Sequence, residues 1–213
     1  MSLVKSIPPA AAVAAFSAGL PTFLSGPNGL MNRNHVGAPP AIPSGADVGT
    51  AYLEAQPVFT LTLKDAANNA GVISPAPAGW RCFASDSAKT PDNTVVGTVV
   101  QRPPSRAWKL IAVSYGPIVR EELTALEELS TLPEIQQASY EALLLGVPGL
   151  SLKAFWLSGQ KAGSIDYIVP IPAGPSQLIA ALREQHVYTL EHFLTVVRPL
   201  ATRNLRMPAG YGA

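Results

Sequence analysis

Apolar positions recur along this chain with two different periods, and the switches between them divide it into elements. Val58-Phe59-Thr60-Leu61-Thr62-Leu63 alternates strictly, with Phe59, Leu61 and Leu63 on one side and the threonines on the other. That period of two predicts a half-buried strand. Trp80 to Ala84 reads as a second strand, and the β-branched run Thr94 to Val100 as a third, ended by Pro103 and Pro104. Trp108 to Tyr115 makes a fourth, in which strict alternation sets Trp108, Leu110, Ala112 and Ser114 opposite Lys109, Ile111, Val113 and Tyr115.

Gly116-Pro117 then changes the period. Proline suits the first helical position, where an N–H would have no partner. Val119, Leu123, Leu126 and Leu129 follow at spacings of four, three and three, which predicts an amphipathic helix over 118–130, stopped at Leu132-Pro133. Two apolar runs, 140–147 and 150–157, flank Val147-Pro148-Gly149, a turn signal that predicts an antiparallel hairpin. A further strand is expected over 165–171. These last runs are continuously apolar rather than alternating, as strands covered on both faces are. Helices are expected over 176–185, capped by Ser176, and from Leu190 to about Val197. Thr189 stands as the second helix's N-cap, with Tyr188 and Phe193 placed for a hydrophobic staple. Pro199 is expected to kink or end it.

This order does not alternate strand with helix, so it predicts an α+β fold rather than a doubly wound parallel sheet. The expectation is a largely antiparallel sheet of about six to seven strands with three helices, as one domain over 51–206. A Pro/Ala/Gly-rich N-terminal arm, residues 1–50, precedes it and a tail, 207–213, follows. Prolines 8, 9, 21, 27, 39, 40 and 43 interrupt the arm, whose only charges are Lys5, Arg33 and Asp47. It is therefore read as extended or flexible. Its apolar residues Phe16, Leu20, Phe23, Leu24 and Leu30 suggest that it orders on a neighbouring subunit.

Composition narrows the function classes. Of the 213 residues 47% are hydrophobic but only 14% charged, against about 25% charged in an ordinary soluble domain. A net charge of +1 gives no electrostatic footing for nucleic acid. Every long apolar stretch is interrupted by proline, glycine or charge, so no membrane span is expected. The start, Lys5 followed by Ile7 and the run from Ala10 to Phe16, superficially resembles a secretory signal, but Pro8 and Pro9 break it. A cytoplasmic protein is the expectation, with a cleaved signal as the alternative; Met31 is a second possible start.

Candidate chemistry is sparse. Cys82, the one cysteine, excludes an intramolecular disulfide and any multi-thiolate zinc site. It shares a strand face with Trp80, opposite Arg81 and Phe83, and reads as a small buried hydrophobe. His35, His186 and His192 lack metal-ligand spacing, and no phosphate-cradling glycine loop or Gly-x-Ser-x-Gly elbow occurs. No cofactor, metal or catalytic residue is therefore assigned. Glu121, Glu122, Glu127, Glu128 and Glu134 read as a solvated helix face, and Arg183, Arg198, Arg203 and Arg206 make the C-terminal segment basic. Pairing of the two segments, within or between chains, is expected from their opposite charge.

Phe155 and Trp156, adjacent on one strand, must point to opposite sheet faces. One of those faces needs a cover from a terminal helix, the arm or another chain. The expectation is a non-enzymatic structural or protein-interaction module, self-associating as a homo-oligomer or part of an assembly. Its contacts would be made by Phe16, Leu20 and Phe23 of the arm, by Phe155 and Trp156, and by Glu121, Glu128, Arg198 and Arg203. The alternative is a small-molecule binder or enzyme assembled from distant residues, with Cys82, Asp166, Tyr140, Glu141 and His192 as its candidates.

Overall fold

The computed structural model describes residues 4–25, 52–68, 77–85, 94–102, 104–136, 138–161, 163–171, 182 and 186–206. In chain order the elements are α1 (Ala10–Ser25), β1 (Tyr52–Thr60), α2 (Leu63–Ala67), β2 (Gly79–Ala84), β3 (Val95–Arg102), β4 (Ala107–Tyr115), α3 (Pro117–Thr131) and α4 (Pro133–Gln136). Then come β5 (Tyr140–Val147), a 3-10 turn (Pro148–Leu150), β6 (Leu152–Gly159), β7 (Tyr167–Pro170), β8 (Tyr188–Thr189) and α5 (Leu190–Arg206). The fold is α+β. Its strands are hydrogen-bonded in the order β4-β3-β2-β1-β5-β6-β7-β8; β2–β3, β3–β4, β5–β6, β6–β7 and β7–β8 pair antiparallel, and β1 pairs parallel with β5. Contacts group the chain into two compact units, Lys5–Pro57 with Ala78–Thr131, and Met1–Val4 with Val58–Pro77 and Leu132–Ala213.

In the first of these units, β2, β3 and β4 form an antiparallel ladder, with Cys82 opposite Gly97 and Gly97 opposite Val113. The register skips Ile111: Leu110 pairs with Val99, and the next pair is Ala112 with Thr98. This bulge shifts the phase of β4, so that Trp108, Leu110, Val113 and Tyr115 all belong to one core, contrary to the strict alternation read from the sequence.

The helix that covers this core is α1, and here the arm expectation is corrected. Alanines 10, 11, 12, 14 and 15 are the strongest helix formers available. Pro8 and Pro9 lie ahead of the helix, and the Pro9 carbonyl accepts from Ala12 N at 2.8 Å to open it. Ala12, Phe16 and Leu20 recur every four residues and are buried against Trp80, Cys82, Val99 and Leu110. Gly97 has no side chain because the Phe16 ring occupies the space a Cβ would need, and Gly19 lets the helix approach Leu110. Residues 26–50 lie outside the described residues.

On the opposite face, α3 places Val119 and Leu123 against Phe83 and Val96. Glu122 is not part of a solvated face. It is buried, and accepts a 2.5 Å hydrogen bond from Arg81 Nη2, whose guanidinium also lies 5.5 Å from the Phe83 ring centre. The acidic run thus splits: Glu121, Glu127 and Glu128 are exposed, while the register of α3 turns Glu122 inward.

In the second unit, the hairpin β5–β6 forms as expected, with Val147 opposite Leu152 across the Pro148–Leu150 turn and Ser151 in the left-handed region at φ 51°. β7 extends it antiparallel, β8 follows, and Val58–Thr60 of β1 pairs parallel with Leu144–Gly146 of β5. β1 begins at Tyr52 and stops at Thr60, before the expected end at Leu63. Thr62 leaves the strand to cap α2, accepting from Asp65 N at 3.1 Å. The core joins Phe59, Leu61, Leu145, Ala154 and Ile168 with Phe193, Val197 and Ala201 of α5. The helix expected over 176–185 lies outside the described residues apart from Leu182, which is buried in this core, and so does the tail from Met207.

Candidate functional site

The open face of the second unit is built around α5. Thr189 caps the helix as its sequence predicts, accepting from His192 N at 3.2 Å, and Tyr188 and Phe193 are both buried in the core beside it. Phe193, Leu194, Val197 and Ala201 recur at helical spacing and are buried. That spacing carries α5 through Pro199 to Arg206, so the expected end near Val197 is corrected. A proline costs the helix one hydrogen bond, and burial of the stripe on both sides of it offsets that loss. Asn204 Nδ2 donates to the Gly149 carbonyl at 3.1 Å, holding the last turn.

Next to the start of α5, Asp166 is fixed by three hydrogen bonds. Its Oδ2 accepts from Trp156 Nε1 at 2.8 Å, its Oδ1 from Gly159 N at 3.0 Å, and its carbonyl from Leu190 N at 3.0 Å. A hollow of about 500 Å³ opens there, lined by Ile165, Asp166, Thr189, Leu190, Glu191, Leu194 and Arg198. A second, more open groove of about 720 Å³ continues along the outer face of α5, past Thr195, Arg198, Pro199, Thr202, Arg203 and Arg206. Glu191, Thr195, Pro199, Arg203 and Arg206 are exposed.

The surface combines hydroxyls with charged groups of both signs. Its hydroxyls are engaged, Thr195 Oγ1 donating to the Glu191 carbonyl at 3.0 Å and Thr202 Oγ1 to the Arg198 carbonyl at 2.9 Å. Charge is graded along it, with carboxylates at the start of α5 and guanidinium groups toward its end. Among the described residues no group of three His, Cys, Asp or Glu side chains is placed to hold a metal ion. Nor is any helix among them long and apolar enough to cross a membrane.

The expected site residues are distributed unevenly. Phe16 and Leu20 are buried inside their own chain, and Phe23 is half-buried against the same core, so the arm contacts assigned to a neighbouring subunit are made within the molecule. Phe155 is 2% exposed, and half-buried Trp156 packs edge-on to Phe59 at 5.1 Å between ring centres. Neither offers the bare apolar sheet face that adjacent aromatics suggested: the core joined by α5 takes in the Trp156 side, and Phe155 is buried on the other. Glu121 and Glu128 are exposed on α3, Arg203 is exposed in the groove, and half-buried Arg198 lines both concavities.

Of the candidates for a catalytic site, Cys82 belongs to the other unit, fully buried, with burial pushing its thiol from 9.0 up to about 11. That excludes a ready nucleophile. Tyr140 is buried, and burial, then Tyr167 and Asp166, raise its pKa above the ordinary phenol value. Glu141 accepts from Gln160 Nε2 at 3.4 Å, and exposed His192 stacks edge-on to Tyr188. Thr202 lies past the point where Pro199 is expected to kink or end the helix, and Ala201, one turn past Val197 on the buried stripe, is the signal that the helix continues; Thr195 lies inside the expected helix and carries no such mark. No family model, no curated protein and no solved structure matches this chain.

Proposed function

We propose that this chain is a non-enzymatic protein-interaction module that self-associates through the outer face of α5. The observation that carries the reading is the open groove along that face, where apolar backing from Pro199 is combined with exposed arginines and internally engaged hydroxyls. Such a surface offers shape and charge to another macromolecule, and among the described residues it presents no nucleophile–base pair. Light scattering on the full-length protein across a dilution series tests it. A weight-average mass that rises above the monomer with concentration is expected, and a constant monomer mass at every concentration would sink the reading.

A second reading, a small-molecule binder, is favoured by one feature: the rigidly held Asp166 in the smaller hollow. Trp156 donates to that carboxylate, so a bound ligand would alter its fluorescence. Saturable quenching by a cationic or zwitterionic metabolite would support this reading over the first.

A further inference from the structure

We infer that the self-association surface is a two-fold, antiparallel contact between α5 and α5 of a second copy of this chain, with Glu191 of each copy facing Arg206 of the other. This inference rests on the self-association proposed above and specifies its geometry. On a helix advancing about 100° per residue, Glu191, Thr195, Thr202 and Arg206 fall within a sector of about 60°, on the side away from buried Phe193, Val197 and Ala201. The ends of this sector lie about 22 Å apart and carry opposite charges. Within the sector between them stand the small side chains of Thr195 and Thr202, with half-buried Arg198 at one margin and Pro199 at the other, so a second helix can approach along the threonines.

A parallel partner would set Glu191 beside Glu191 and Arg206 beside Arg206. An antiparallel partner, with its axis between Arg198 and Pro199, brings each Glu191 to an Arg206 at both ends and crosses Thr195 with Thr202 in the middle. The charged ends of the face are therefore complementary to themselves in the antiparallel orientation alone, as an isologous dimer requires, while Arg198 of each copy flanks the axis. Arg198, half-buried beside this sector, also lines the hollow that holds the carboxylates of Asp166 and Glu191. A single helix pair of this length belongs with the smaller interfaces, below about 1,200 Å² in total, so the dimer is expected to dissociate on dilution.

The same charge arrangement also complements the helix macrodipole, with Glu191 in the first turn and Arg206 in the last. The two roles separate in a double reversal. Glu191→Arg and Arg206→Glu are each expected to weaken dimerisation at least tenfold in sedimentation equilibrium, and the double variant to restore it. A macrodipole role predicts the opposite, since the double variant has the wrong sign at both ends and would have the lowest melting temperature. Cross-linking supplies a test independent of charge. Oxidised Thr195→Cys and Thr202→Cys variants should give a covalent dimer when mixed and little when kept separate, and buried Cys82 would not interfere. If the wild-type chain is monomeric throughout, the self-association reading fails along with this geometry. If it dimerises, but the double variant is not rescued and the mixed cysteine variants do not cross-link, only the geometry is overturned.

Discussion

Cys82 and Arg81 are neighbours on β2, yet the pleat sends them to cores of different character. The thiol lies among Trp80, Val99 and Leu110, apolar neighbours that do not stabilise a thiolate. It should resist alkylation in the native protein even near pH 9 and react at once in denaturant, as a thiol-labelling time course would record. The unfolded chain ionises first, so stability contributed by the neutral thiol is lost as pH rises from about 9 toward 11. Cys82→Ala should flatten that part of the pH–stability curve, measured by urea melts. Arg81 is buried on the other face and satisfied by Glu122. Glu122→Ala would leave an unpaired buried guanidinium, and a loss of roughly 3–5 kcal/mol in urea unfolding is expected. Replacing both members by apolar residues of similar volume should cost much less, which would separate charge burial from packing.

At the level of elements, strands and amphipathic helices were legible wherever one period persisted. The β5–β6 hairpin, α3 and the Thr189 cap follow directly from Pro148-Gly149, from the spacing of Val119 to Leu129, and from a threonine before an apolar stripe. α1 was not legible as a helix. Its prolines argue for irregular chain, and only the packing of Ala12, Phe16 and Leu20 onto a sheet face resolves the conflict with its alanines. The end of α5 was lost for a related reason, since a proline is a local signal and the buried stripe crossing it a tertiary one. Glu122 carried no sequence mark of burial because its partner, Arg81, lies on a distant strand. Phe16→Ala removes the side chain that fills the site over Gly97. It should cost roughly 3–5 kcal/mol, measured by chemical denaturation. Gly97→Ala should destabilise too, and the pair should be less than additive because the smaller side chain vacates the room the new methyl needs.

For the whole molecule, the parallel pairing of β1 with β5 is the long-range contact that bears on folding. Val58 meets Leu144, so this contact closes a loop that contains β2, β3, β4 and α3. Non-local parallel pairing is slow because loop-closure entropy is lost before any contact offsets it. A chain cut after Thr131 should leave the Val58–Thr60 segment without its partner, and is expected to be recovered mainly in the insoluble fraction on expression. The candidate surface belongs to this scale as well, since Asp166, Glu191 and Arg198 come together only once the β6–β7 segment and α5 are folded.

The bulge in β4 can be read as a one-residue frameshift written into the protein. Remove Ile111, and Trp108, Leu110, Val113 and Tyr115 fall into perfect alternation with Lys109, Ala112 and Ser114, so the shortened strand would be the more regular one. Yet β4 ends the strand order, and an uninterrupted outermost strand is a template on which another copy can add. The extra residue trades regularity for insulation. Deleting it should leave a well-folded chain that grows fibrils more readily on agitation.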